Sequence, residues 1–221
     1  MILKSPGPAA VAFDLDDSLY DREQAFCRLL KTWLGELAPE DSREILRRDG
    51  RGHASRLEFF TWMSGQWPEL GPGEELWGKF REELPAHILV DPEALPLLNQ
   101  IHRAGWPCGI LTNGTVPLQA AKLQATGLLE CFPPKQVLIS GAIGADKPSP
   151  LAFAALTTVL ALPPERILFV GDHAEKDIRG AKMAGMRTCW LRRRDPGGIC
   201  LEADLVIDSL AELGPLLFPA A

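Results

Sequence analysis

Residues 11–21 read VAFDLDDSLYD. An apolar, β-prone run reaches Asp14, and Asp16, Asp17 and Asp21 follow close behind. Carboxylates set this near together repel one another, and burying them is costly unless something compensates. The stretch is either a solvated acidic turn or the end of a buried strand that presents acids to a cation and a substrate.

The rest of the chain bears on that choice. Beside AVAFDL (10–15), five further runs have the same character: CGILTN (108–113), VLIS (137–140), ILFVGD (167–172), TCWL (188–191) and LVID (205–208). They are continuously apolar rather than alternating, as expected of parallel strands covered on both faces. Helical patterns separate most of them. In residues 91–105, Asp91 is expected as N-cap, Pro92 at the first helical position and Gly105 as the stop. In residues 147–161, Ser149 is the expected N-cap, with Pro150 behind it. Residues 174–185 are expected to form a helix with Ile178, Ala181 and Gly185 on one face. The predicted fold class is α/β, a Rossmann-like doubly wound, mainly parallel sheet.

One interval lacks strands. Asp21 and Gln24 have capping-box spacing. Phe26, Leu29, Leu30, Trp33, Leu34 and Leu37 then make an apolar stripe at helical period. Residues 54–67 and 73–84 read as further short helices, and four of the six Trp fall in this interval, as core of a small subdomain. Its Arg22, Arg43, Arg47, Arg48, Arg51 and Arg56 are expected on solvated faces. The predicted organisation is a catalytic core of residues 1–18 and 90–221, with a helical cap, 19–89, inserted after the first strand.

Composition narrows the function. The chain has 221 residues, 46% hydrophobic and 24% charged, a globular profile. A net charge of -6 argues against nucleic acid and anionic membranes as partners, but not against a small anionic substrate. The five Cys (27, 108, 131, 189, 200) are odd in number and contain no CxxC, so reduced thiols and a cytoplasmic location are expected. No signal peptide is expected in MILKSPGPAA, and no run approaches the roughly 20 apolar residues of a membrane span. Monomer and homodimer both remain open.

In open parallel sheets, ligands bind beyond the carboxyl ends of the strands. There the first strand places Asp14 and Asp16, and the second Thr112 and Asn113. Lys147 follows the third, and Asp172 ends the fourth, with Asp177 five residues on. These motifs, DLDDSLYD, LTNG, DKPSP and GDHAEKDIRGAKMAGM, resemble in order the four motifs of the haloacid dehalogenase-like hydrolase superfamily. The helical insert resembles the cap of that superfamily's cap-bearing phosphatase branch. Ser18 stands where many members have Thr and keeps the hydroxyl.

The resemblance implies a Mg²⁺-dependent phosphatase for a small phosphorylated metabolite. Asp14 is then nucleophile and metal ligand, forming an aspartyl-phosphate. Asp16 is the general acid/base, with its pKa raised by neighbouring carboxylates so that it carries a proton. Asp14, Asp172 and the backbone carbonyl of Asp16 are the implied Mg²⁺ ligands. Asp177 is implied to hold a metal-bound water or Lys147. Thr112, Asn113 and Lys147 would grip the phosphoryl oxygens. Asp17 is expected to face solvent or cap local backbone, and His173 to shape its loop. Asp16 argues against dehalogenation, whose enzymes typically lack the second acid. A phosphomutase uses the same two acids and stays an alternative. A phospho-accepting signalling module and a binding protein on an inactive scaffold are the non-enzymatic alternatives; a receiver-type acceptor would lie on a middle strand, not the first.

Overall fold

The computed structural model describes residues 7–193, 195 and 197–219. In chain order, β1 (Ala10–Phe13) precedes four helices, α1 (Arg22–Leu34), α2 (Pro39–Asp49), α3 (Arg56–Gln66) and α4 (Gly73–Glu83). There follow α5 (Ala94–Arg103), β2 (Cys108–Thr112), α6 (Val116–Ala125), β3 (Val137–Ile139), α7 (Ser140–Ile143) and α8 (Pro150–Leu160). The chain continues with β4 (Ile167–Gly171), α9 (Gly180–Met183), β5 (Arg187–Leu191), β6 (Leu205–Ile207) and α10 (Leu213–Leu217). It divides into two compact units, one running to Tyr20 and resuming at Val90, the other Asp21–Leu89. No helix among the described residues is long and apolar enough to cross a membrane.

The larger unit is built on one six-stranded sheet in the order β3-β2-β1-β4-β5-β6, every neighbouring pair parallel. All six predicted strands are present. β1, β2 and β4 are buried along their whole length, which is why they read as unbroken apolar runs. One layer packs Ala10, Ala12, Leu111 and Phe169 of the sheet against Phe153, Leu156 and Leu160 of α8. The strand order reverses direction between β1 and β4, so the carboxyl ends of β1, β2 and β4 open at a topological switch point.

Two helix predictions are corrected. α5 starts at Ala94, not at Pro92. The carboxylate of Asp91 accepts the Glu93 amide at 2.8 Å in a preceding turn. The same residue donates its amide to Leu19 O at 3.0 Å and its carboxylate takes the Arg193 guanidinium, which pins it outside the helix. Leu19 and Tyr20, assigned from sequence to the insert, stay with the sheet, where Tyr20 bridges Val90. The helix predicted over 174–185 opens instead as a π-helical turn, Ala174–Arg179. Ser149 does cap α8, accepting the Leu151 amide.

The second unit is helical. Asp21 caps α1, with Oδ1 accepting the Gln24 amide at 2.8 Å and Oδ2 accepting the Gln24 side chain at 2.9 Å. Its centre is a set of edge-on and tilted rings, Phe26, Phe59, Phe60 and Phe80, with centroids 5.0–6.0 Å apart. Arg22 and Arg56 depart from the expected solvated faces. Both are drawn to the buried Asp49, Arg22 by bonds of 2.6 and 3.0 Å and Arg56 at 2.7 Å. Burial would raise the Asp49 carboxyl, but Arg22 and then Arg56 outweigh it and hold the pKa below its ordinary value. Arg43, Arg47, Arg48 and Arg51 are exposed as expected.

Candidate active site

β1 ends at Phe13, which pairs with Ile110 of β2 and Val170 of β4. The next amide, Asp14 N, donates to Val170 O at 2.9 Å. The sheet ladder therefore sets the backbone from which the Asp14 carboxylate projects. Asn113, just past β2, holds Lys147 by a reciprocal pair. Its Nδ2 donates to Lys147 O at 2.9 Å, and its Oδ1 accepts Lys147 N at 2.8 Å. The Lys147 ammonium, only 4% exposed, then lies between two carboxylates, 2.5 Å from Asp14 Oδ1 and 2.7 Å from Asp177 Oδ1.

The π turn explains how Asp177 gets there. Ile178 N reaches His173 O at 3.4 Å, five residues back, while Asp177 Oδ2 accepts His173 N at 3.0 Å. Single π turns inside helices often accompany functional residues. The turn lays the carboxylate against Gly171, where a Cβ would sit 2.5 Å from Asp177 Cγ. Only glycine fits this close approach. Trp190 Nε1 donates to Asp172 O at 2.7 Å and anchors the next residue. The His173 ring accepts the Lys176 amide, in keeping with a loop-shaping part.

Asp14, Asp172 and Asp177 each present an oxygen within 4.8 Å of the others. Three carboxylates thus face one ammonium. Burial pushes Asp14 up to about 7, Lys147 opposes this, and the charges of Asp177 and Asp16 add to the rise. Burial likewise drives Asp172 well above the carboxylate range, helped by Asp177, Asp14 and Asp17. With all three ionised, the cluster would hold more negative charge than Lys147 balances.

Asp16 behaves differently. Its Oδ1 accepts the Tyr20 hydroxyl and, at 2.6 Å, the Lys122 ammonium. Its Oδ2 accepts Gln119 Nε2 at 2.9 Å. Burial alone would raise this carboxyl. The Lys122 charge and the bonds from Gln119, Lys122 and Tyr20 overcome that and bring it down to about 2. The expectation of a raised pKa is therefore overturned, because the nearest charge is a cation that the motifs do not contain. Asp17 does not face solvent: it is buried, with φ of 59°, and its charge is felt by Asp172.

Thr112 is buried at the end of β2, and its Oγ1 lies 2.6 Å from Gln119 Nε2. All seven residues singled out from sequence thus lie at or just beyond the carboxyl ends of the strands, in two sets that Gln119 links through Asn113 O. One comprises Asp14, Lys147, Asp177 and Asn113, with Asp172 in the same acidic cluster; the other comprises Asp16 and Thr112, joined through Gln119. Gln119 and Lys122 escaped the sequence analysis. Their signal is faint but present. With Leu123 they form the buried stripe of α6 at spacings of three and four, while Val116 and Pro117 of that helix are exposed.

A family model of haloacid dehalogenase-like hydrolases matches residues 8–185. A glyceraldehyde 3-phosphate phosphatase from Methanopyrus kandleri is 30% identical over 83% of this chain and 84% of its own. A phosphoserine phosphatase from Thermus thermophilus is 39% identical over 55% of this chain and 49% of its own. Among solved structures, the HAD-hydrolase YfnB of Bacillus subtilis, bound to magnesium, superposes with a TM-score of 0.75 at 25% identity, over 96% of this chain and 100% of that one. With that match spanning most of its length and its strand-end carboxylates gathered around one lysine, the chain is an enzyme of the haloacid dehalogenase-like hydrolase family.

Proposed function

We propose that the protein is a Mg²⁺-dependent phosphatase of small phosphate monoesters, with the helical unit as its cap. The observation that carries this reading is the Lys147 ammonium fixed between Asp14 and Asp177 at the end of the central strand, with Asn113 holding the Lys147 backbone. The names of the relatives support the same class of substrate.

The donor set suits a hard divalent cation, since it offers only carboxylate oxygens and an excess of negative charge. Asp14 and Asp172, with the backbone carbonyl of Asp16, would hold Mg²⁺, which when bound offsets charge on the phosphoryl oxygens and keeps Asp14 ionised. A carboxylate oxygen of Asp14 attacks phosphorus, and the ester P–O bond breaks with its electron pair leaving on the alkoxide. That oxygen takes a proton from Asp16. Water then attacks the aspartyl-phosphate, Asp16 takes a proton from it, and the bond from Asp14 oxygen to phosphorus breaks to release phosphate. Thr112, the Asn113 backbone amide and Lys147 hold the phosphoryl oxygens, and Asp177 holds Lys147. Asp16 as found is ionised, the form the second step uses; to give a proton in the first step it must be protonated when the ester binds, which the approaching negative charge of the phosphoryl group favours. All five cysteines are free thiols, in keeping with a cytoplasmic enzyme.

The test is phosphate release from phosphoglycolate, phosphoserine, sugar phosphates and nucleotides, with Mg²⁺ and with EDTA. Release on at least one small ester with Mg²⁺, lost in EDTA and in Asp14→Asn, is expected. Full Mg²⁺-dependent release by Asp14→Asn overturns the nucleophile assignment.

A further inference from the structure

Lys122 and Gln119 bury an ammonium and a carboxamide in α6, at 4% and 1% exposure. Buried polar groups at such positions are expensive unless they are satisfied. Their partners lie on the carboxyl ends of β1 and β2. Lys122 Nζ reaches Asp16 Oδ1 at 2.6 Å. Gln119 Nε2 lies 2.9 Å from Asp16 Oδ2, 2.6 Å from Thr112 Oγ1 and 3.0 Å from Asn113 O. One nitrogen therefore joins the proposed proton-transfer carboxylate to the proposed phosphoryl-binding turn. The backbone makes room for it: Gly114 adopts φ of +143°, and a Cβ there would lie 3.1 Å from Gln119 Cγ. Gln119 Oε1 has no hydrogen-bond partner among the described residues, so the amide is oriented by its donor side alone.

We propose that Lys122 and Gln119 are positioning residues: they clamp both carboxylate oxygens of Asp16 and tie its position to the Thr112–Asn113 turn. This rests on the phosphatase reading above. Asp16 is restrained on Oδ1 by Lys122 and Tyr20 and on Oδ2 by Gln119, so its rotamer is set before substrate arrives. Attack by Asp14 on an ester whose leaving group is stable as an anion does not need that carboxylate. Removal of a proton from water in the second step does.

The experiment is rapid-mixing kinetics with p-nitrophenyl phosphate and Mg²⁺ on the full chain, comparing wild type with Lys122→Met, Lys122→Arg and Gln119→Met. Far-UV circular dichroism establishes that each variant is folded. Lys122→Met is expected to release the first equivalent of nitrophenolate within about 3-fold of the wild-type rate. Its steady-state turnover should fall about 30-fold, in the range set by loss of an orienting partner. A burst of about one equivalent then appears, and phosphoenzyme accumulates. Lys122→Arg restores most of the steady-state rate. Gln119→Met, which also frees Thr112, shows the same burst together with a raised KM. If Lys122→Met does not fold, Gln119→Met carries the same test. Equal loss in both phases, or no loss in either, overturns the proposal while leaving the phosphatase reading intact. A wild-type enzyme that releases no phosphate from any ester removes both.

Discussion

Asp14 makes the metal-free protein sensitive to alkali in a way that can be measured. Its carboxyl titrates near 3.8 in an unfolded chain and near 7 in the folded one. Between those values the native state keeps a proton that the unfolded state has lost. Stability then falls as pH rises, by at most about 1.4 kcal/mol per pH unit. Over the whole window the loss is about 4 kcal/mol. Asp16 has the opposite sign. Its folded value of about 2 lies below 3.8, so it contributes stability that is fully present above 3.8 and lost as pH falls through about 2. In the window above 3.8 its contribution is constant and cannot mask the trend. The assay is urea denaturation followed by far-UV circular dichroism in EDTA, from about pH 4 to about pH 7.5, on wild type and Asp14→Asn. Wild type should lose stability relative to the variant across this range, and saturating Mg²⁺ should flatten the difference by holding Asp14 ionised. A difference that is flat in EDTA, or that rises with pH, would refute the argument that burial governs Asp14.

Other perturbations follow from the same contacts. Gly171→Ala places a Cβ 2.5 Å from Asp177 Cγ, so it should cost about 1–3 kcal/mol and weaken Mg²⁺ binding about ten-fold in calorimetry. Lys147→Met removes the ammonium that touches both Asp14 and Asp177, and should lower phosphate release at least about 100-fold while Mg²⁺ binds more tightly. Asp49→Asn leaves Arg22 and Arg56 without their buried counter-charge and should destabilise the helical unit by about 3–5 kcal/mol, read by tryptophan fluorescence during thermal unfolding.

Much of this was legible along the chain because it depends on local order. β1 to β6 announce themselves as apolar runs, since parallel strands covered on both faces need no polar alternation. Asp14, Asn113, Lys147 and Asp172 could be placed at strand ends because residues that follow a parallel strand face the same edge of the sheet. The electrostatic state of Asp16 was not legible. It depends on Lys122, which is 106 residues away and arrives on the helix after β2. Arg22 and Arg56 read as solvent-facing because their partner Asp49 lies 27 and 7 residues from them, outside any i,i+4 pattern. The late start of α5 had a similar origin, with Asp91 held by Leu19 and Arg193.

By itself, then, VAFDLDDSLYD with its companion motifs determined the sheet, the strand ends and the set of acids at them, because each follows from periodicity and from where a strand stops. Tertiary structure alone decided what each acid does with its charge. Asp14 and Asp16 are two residues apart, yet one titrates near 7 and the other near 2. The first shares Lys147 with Asp177 and lies near other carboxylates, whereas the second is held by Lys122, Gln119 and Tyr20. A carboxylate's pKa is set by the charges and donors within a few ångströms of it, and those neighbours are chosen by the fold.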